Sequence, residues 1–150
     1  MLGKLNEKQI DEILAQQVTG RIGCNAEGVT YIVPVNYFYR DSVIYAQSTK
    51  GKKIMMMRKN PEVCFQVDDI KTIFSWRSVV AWGRFEEIKD SDQKQQVMQG
   101  LIHKLMPLAD KPNNHPFHGI TENERDIDTR KKLIVYKITL TTKTGRFEKS

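Results

Sequence analysis

Apolar positions near the start of the chain recur at helical spacing. Ile10, Ile13, Leu14 and Val18 fall on one face of a helix predicted over residues 6–18, with Asn6 as its cap and Thr19-Gly20 as its stop. The pattern then becomes strand-like. Residues 21–25 and 30–39 predict two strands joined by the hairpin turn Ala26-Glu27-Gly28. Pro34 inside the second run predicts an edge strand or a bulge, where backbone groups are left free for a ligand. Arg40-Asp41-Ser42 is the next turn, followed by strands over 43–47 and 62–68 and a short helix over 52–59 between them. Residues 69–74 read as a connection whose structure the pattern leaves open. Residues 76–88 form a long strand with Gly83 as a bulge site. Val97, Leu101 and Leu105 mark one stripe of a helix over 90–105. Residues 133–142 close the series as a strand in which Ile134, Tyr136, Ile138 and Leu140 alternate.

Between the last helix and the last strand, residues 106–128 lack periodicity. They cluster Pro107, Pro112, His115, Pro116 and His118, which predicts a loop that could serve as a lid. No repeat or linker divides the 150 residues, so one domain is expected. Five or six antiparallel strands with few helices point to a mainly β fold whose sheet closes into a barrel. Hairpin succession argues against a parallel, doubly wound sheet.

Composition adds limits. The chain is 39% hydrophobic and 28% charged, with a net charge of +6 and an isoelectric point near 9.3. Its apolar runs are too short to cross a bilayer, and residues 1–17 show no signal-peptide core, so a cytoplasmic protein with reduced cysteines is expected. Cys24 and Cys64 stand apart, without CxxC pairing, in strand-like surroundings that suit inert thiols. The positive charge suits a phosphorylated small molecule as well as nucleic acid. Neither zinc-finger spacing nor a basic heptad region supports nucleic acid, and no metal-ligand spacing is present.

Chemistry concentrates in residues 44–61, IYAQSTKGKKIMMMRKNP. Ser48, Thr49, Lys50, Gly51, Lys52 and Lys53 sit at a strand-to-helix junction. A helix start offers unpaired N–H groups and the positive end of its dipole. Hydroxyls and ammonium groups there can hold an anion, foremost a phosphate. A solvated basic helix start is the competing reading. Met55, Met56 and Met57 are consecutive and cannot share one helical face.

Five segments in order, GRIGCN at 20–25, YIVPVNYFY at 31–39, IYAQSTKGKKIMMMRKNPEVCFQVD at 44–68, WRSVVAWGRFEEI at 76–88 and a final strand ending TGR at 144–146, resemble the pyridoxamine 5'-phosphate oxidase-like family, in its branch of nitroimidazole-resistance-type flavoproteins. The resemblance implies a six-stranded antiparallel split β-barrel that forms a homodimer with FMN at the subunit interface. It implies that Lys52 and Lys53 bind the FMN phosphate and that Gln47, Ser48 and Lys50 line the same pocket. Val35 and Asn36 would meet the isoalloxazine ring. Ser78, with Arg77 beside it, would approach the flavin of the partner subunit.

Two departures from the oxidase itself stand out. Residues 33–38 carry no phosphate-gripping arginine, and the C-terminal segment offers only Arg146 and Lys149 in place of the oxidase's substrate-binding arginine motif. The resemblance therefore favours FMN binding over vitamin B6 oxidation, with reduction of nitroaromatic or quinone-like small molecules as the implied activity. A non-catalytic module holding flavin, pyridoxal phosphate or haem is the alternative. The aromatics Trp76, Trp82, Tyr37 and Tyr39 divide between ring cover and barrel core. No residue type names a catalytic acid or base beyond His115 and His118 of the loop, and His103 reads as structural.

Overall fold

The computed structural model describes residues 1–108 and 133–150. Its strands are β1 (Leu2–Lys4), β2 (Thr19–Ala26), β3 (Val29–Asn36), β4 (Phe38–Arg40), β5 (Val43–Thr49), β6 (Glu62–Thr72), β7 (Ser75–Glu87) and β8 (Leu133–Glu148). The helices are α1 (Glu7–Gln16), α2 (Lys52–Lys59) and α3 (Ser91–Leu105), the last followed by a 3-10 turn over Met106–Leu108. All pairings are antiparallel. The strand order is β3-β2-β6-β7-β8-β5-β4, with β1 added on β8.

That order explains the closure. β3 and β4 are the two ends of the path, yet only Tyr37 separates Asn36 from Phe38 along the chain. Two residues of extended chain span at most about 7 Å. The ends of the sheet are therefore brought together, and the sheet is rolled into a barrel, as the strand pattern predicts. Tyr37 itself turns inward. It is fully buried, its N–H bonds Val18 O at 3.1 Å, and its hydroxyl donates to Leu14 O at 2.7 Å.

Three boundaries differ from the sequence reading. The run 30–39 is two strands, because the chain changes sheet ends at Tyr37. Residues 69–74, whose structure the sequence leaves open, belong largely to the sheet: β6 continues to Thr72, pairing Asp69 with Arg77 and Ile70 with Trp76. The final strand runs to Glu148 rather than stopping at 142. The described residues thus hold eight strands where six were expected, within the same fold class. Pro34 lies on an end strand as predicted, but without a bulge, since β2–β3 register is continuous from Thr19↔Asn36 to Ala26↔Val29. The irregularity at Gly83 is present: Trp82 faces Thr142 and Gly83 faces Leu140, so Thr141 is extra. A Cβ on Gly83 would lie 2.4 Å from Thr139 O, a distance only glycine permits.

Inward residues of successive strands build the main core: Ile22 and Cys24 of β2, Phe65 and Val67 of β6, Val79 and Ala81 of β7, and Tyr136 and Ile138 of β8. α1 adds Ile10, Ile13 and Leu14, and α2 adds Ile54, Met56 and Met57, leaving Met55 outside. α1 starts with a full capping box, Asn6 and Gln9 exchanging 2.9 Å bonds. α3 contributes to a separate cluster. Its stripe Val97, Leu101 and Leu105 packs with Ile88, Met106 and Val135, bordered by Phe38 and Tyr45.

Candidate functional site

A cleft of about 410 Å³ opens where the end strand β3, the β2 start, the β5 end, the α2 start and α3 converge. It is lined by Thr19 of β2, Pro34, Val35 and Asn36 of β3, Gln47, Ser48 and Thr49 of β5, Lys53 of α2, and Leu101 and Leu105 of α3. Each element places its residue for a local reason. Pro34 is tolerated because β3 has an unpaired edge among the described strands. Lys53 sits in the first turn of α2 because Ile54, Met56 and Met57 turn into the core and fix the helix's rotation.

One side of the cleft is polar. Lys53 Nζ donates to Ser48 Oγ at 2.7 Å, and Ser48 Oγ donates to Thr49 O at 2.8 Å. Burial pushes the Lys53 ammonium below the usual lysine range, with Cys24 raising it less. Gly51 at the N-cap provides no side-chain cap and the first turn holds no acid, so the helix start keeps its donors and positive field. Thr19 Oγ1 donates to Asn36 Oδ1 at 2.8 Å and ties β2 to the end of β3. Among the described residues that line it none is acidic, and Leu101, Leu105, Pro34 and Val35 form the apolar remainder. Such a cleft suits a molecule with an anionic end and a flat or apolar body.

Of the residues singled out in the sequence, Val35, Asn36, Gln47, Ser48 and Lys53 meet in this cleft. Lys50 is exposed and outside its lining. Lys52 turns away, its Nζ 4.9 Å from the centre of the Tyr31 ring. Arg77 pairs with Asp69 at 2.8 Å, and Ser78 accepts from Gln66 Nε2 at 3.2 Å; neither lines the cleft. None of the four aromatics does either. Tyr37 is core, Tyr39 donates to Asp11 at 2.7 Å, Trp76 Nε1 donates to Glu148 at 3.1 Å, and Trp82 is 45% exposed.

Thr49, part of the hydroxyl-and-lysine junction, joins the cleft as well, whereas Thr19, Pro34, Leu101 and Leu105 carry no site signal in the sequence beyond the strand edge that Pro34 marks. Their convergence is long-range: Thr19 and Leu105 meet only through the barrel. His103 is exposed on α3, and His115 and His118 lie outside the described residues. Asp68 and Asp69 face Arg21 and Arg77 instead of forming an ion site. No cluster of three His, Cys, Asp or Glu suited to a metal occurs among the described residues. Cys24 is buried and Cys64 partly so, both as free thiols. No described helix is long and apolar enough to cross a membrane.

An antiparallel barrel with a cation-and-hydroxyl cleft beside its closing strand is a ligand-binding architecture, and comparison with known proteins gives its family. Residues 6–147 match the pyridoxamine 5'-phosphate oxidase family profile, so the chain belongs to that family. An uncharacterised protein of Rhizobium meliloti (strain 1021) is 28% identical over 142 residues, covering 95% of this chain and 92% of its own. The crystal structure of a FAD-binding protein of Mesorhizobium loti is 27% identical, with a TM-score of 0.75 over 100% of this chain and 98% of that one. A protein of Bacteroides thetaiotaomicron, proposed to confer 5-nitroimidazole antibiotic resistance, shares the fold with a TM-score of 0.74 at 21% identity, covering 98% of this chain and 87% of its own. The mainly β split-barrel class expected from the sequence is thus the one observed.

Proposed function

We propose that this chain is an FMN-binding oxidoreductase, acting as a homodimer on small nitroaromatic or quinone-like compounds. The carrying observation is the cleft in which Lys53 and Ser48 meet beside the uncapped start of α2. A flavin phosphate bears nearly two negative charges, and charge-assisted bonds to ammonium, hydroxyl and helix N–H groups are the strong kind. The FAD-binding relative supports a flavin; the single cationic end of the cleft favours FMN as the form.

Lys53, Ser48 and Thr49 would hold the phosphate, with Gln47 beside them. Val35 and Asn36 would present the edge of β3 to the polar rim of the ring. Leu101, Leu105 and Pro34 would cover apolar surface and exclude water. Bound FMN would supply the redox chemistry. Lys50 and Lys52 are left to steer the anion from outside. Arg77 and Ser78, absent from their own chain's cleft, are suited to serve a partner's. The exposed Ile70, Ile73 and Phe74 near the β6–β7 turn and Trp82 on β7 give that dimer apolar surface to bury. A cytoplasmic setting, with small-molecule partners and neither membrane nor nucleic acid, belongs to the same reading.

One observation favours a second reading, a flavin-binding module without turnover. Among the described residues, Lys53 is the only titratable group lining the cleft, and none of them is a carboxylate or histidine able to relay a proton. The test is a visible spectrum of the purified chain before and after added FMN, then NAD(P)H oxidation with nitroaromatic and quinone acceptors. A colourless protein that ignores FMN rejects both readings. Bound flavin without turnover leaves the module.

A further inference from the structure

The backbone of β3 decides which of its groups reach the cleft. Neighbouring pairs in an antiparallel ladder alternate between hydrogen-bonded and non-hydrogen-bonded. Tyr37 N–H bonds Val18 O at 3.1 Å, one step beyond the pair Thr19↔Asn36, so that step is a bonded pair. Counting back along the continuous register, Val35↔Gly20, Val33↔Ile22, Tyr31↔Cys24 and Val29↔Ala26 are bonded pairs too. The far end of the hairpin agrees, because the two-residue turn Glu27-Gly28, with φ of 53° and 79°, closes on a bonded pair. Arg21, opposite Pro34, turns its own groups to β6, where it faces Gln66. Ile32, Pro34 and Asn36 therefore point their backbone groups away from β2, along an edge that no described strand pairs.

The cleft lies along that edge, with β5 and α2 as its far wall. A free strand edge offers the same N–H and C=O pair at every second residue, about 7 Å apart. Here the series is broken. Proline has no N–H, so residue 34 gives the cleft a carbonyl only. Among the described β3 residues that line the cleft, Asn36 alone gives a donor and an acceptor side by side. Its side chain does not cover them, because Asn36 Oδ1 is held across the strand pair by the Thr19 hydroxyl at 2.8 Å. A donor beside an acceptor on an extended residue matches a cyclic amide or imide, whose C=O and N–H lie together on one edge of a flat ring. The pyrimidine end of a flavin has such an edge; pyridoxal phosphate and haem do not.

We propose that Pro34 sets the register at which a flavin ring docks on β3: by removing one N–H, it leaves the Asn36 N–H and C=O as the single seat for the imide of the ring. The Asn36 N–H donates to a ring carbonyl, and the ring N–H donates to Asn36 O. With a residue other than proline at 34, the edge would offer the cleft two equivalent seats, and the ring could slip from one to the other. The proposal rests on the reading of this cleft as the flavin site. It adds which edge of the ring is read and which residue fixes its place.

Three measurements on the full chain test it. In ligand-free protein followed by NMR, the Asn36 amide exchanges with deuterium fast and those of Val35 and Tyr37 slowly, and added FMN slows Asn36. In fluorescence titrations, FMN carrying a methyl group in place of its imide hydrogen binds the wild type about tenfold or more weakly than FMN itself. FMN with an isotopic label at the imide nitrogen gives one bound resonance in the wild type and two in Pro34→Ala, whose new N–H opens the second seat. Pro34→Val carries the same N–H if Pro34→Ala fails to fold. Equal affinity for FMN and its imide-methylated form, an Asn36 amide protected before FMN is added or left unprotected after it, or a single unshifted resonance in Pro34→Ala overturns the proposal and leaves the flavin reading in place. FMN binding to neither protein overturns the flavin reading and the proposal with it.

Discussion

α1 and α3 both cover the outside of the barrel, and they are held differently. α1 sends Ile13 and Leu14, each fully buried, into the main core, accepts the Tyr37 hydroxyl on Leu14 O, and joins its Asp11 to Tyr39 and Lys143. α3 packs into a smaller cluster of its own, and its lysine finds a carbonyl and a ring where Lys143 finds three oxygens. Two helices with similar apolar stripes therefore do different work. The one tied into the core fixes the barrel; the one beside it borders the cleft with Leu101 and Leu105.

The largest expected effect tests the core side. Leu14→Ala should cost about 3–4 kcal/mol in urea unfolding, and Leu101→Ala about 2–3 kcal/mol, because a satellite cluster can collapse around the lost atoms. Equal costs, with equal effects on FMN titration, would break the distinction between the helices. Next, Lys53→Ala should weaken FMN binding by about 1–3 kcal/mol in a fluorescence titration while the unfolding midpoint stays near wild type. A smaller change, about 1 kcal/mol, is expected for Lys143→Met, which strips Asp11 and Tyr39 of their shared cation.

The subtlest test is the sign of the pH dependence. Lys104 moves from 10.5 to about 8 on folding, so the folded chain binds fewer protons there. Its unfavourable contribution is complete below about 8 and relieved as pH climbs towards 10.5. Lys143 is raised, so its contribution is present up to 10.5 and lost above that. Asp11 is lowered: burial works against its charge, but the bonds from Tyr39 and Lys143 prevail, and its contribution fades as pH falls through and below 3.8. Unfolding free energy between pH 8 and 10.5 should therefore rise in the wild type and rise less in Lys104→Met. Parallel curves for the two proteins would remove the contrast.

Local pattern made much of this legible. The stripes of α1 and α3, the α2 boundaries, the edge character of Pro34 and the irregularity at Gly83 follow from spacing and backbone chemistry. The gaps share one cause. Residues 69–74 stay open because Ile70, Ile73 and Phe74 are exposed, so no alternation signals the β6–β7 hairpin. Beyond Leu140, β8 pairs through polar Thr142, Lys143 and Thr144, whose strand state depends on β7 rather than on their own preference. In the cleft, the Lys53–Ser48 pair is close in sequence and was legible. Thr19, Leu101 and Leu105 arrive from elements far apart, and Lys52 differs from Lys53 only in the direction its helix turns it.

The crossing at Tyr37 has one more consequence. A seam closed by a single residue leaves no slack in the chain, so the rim carrying Val35 and Asn36 cannot spread without tearing the barrel. The dimensions of whatever the cleft grips are thus gauged on this side.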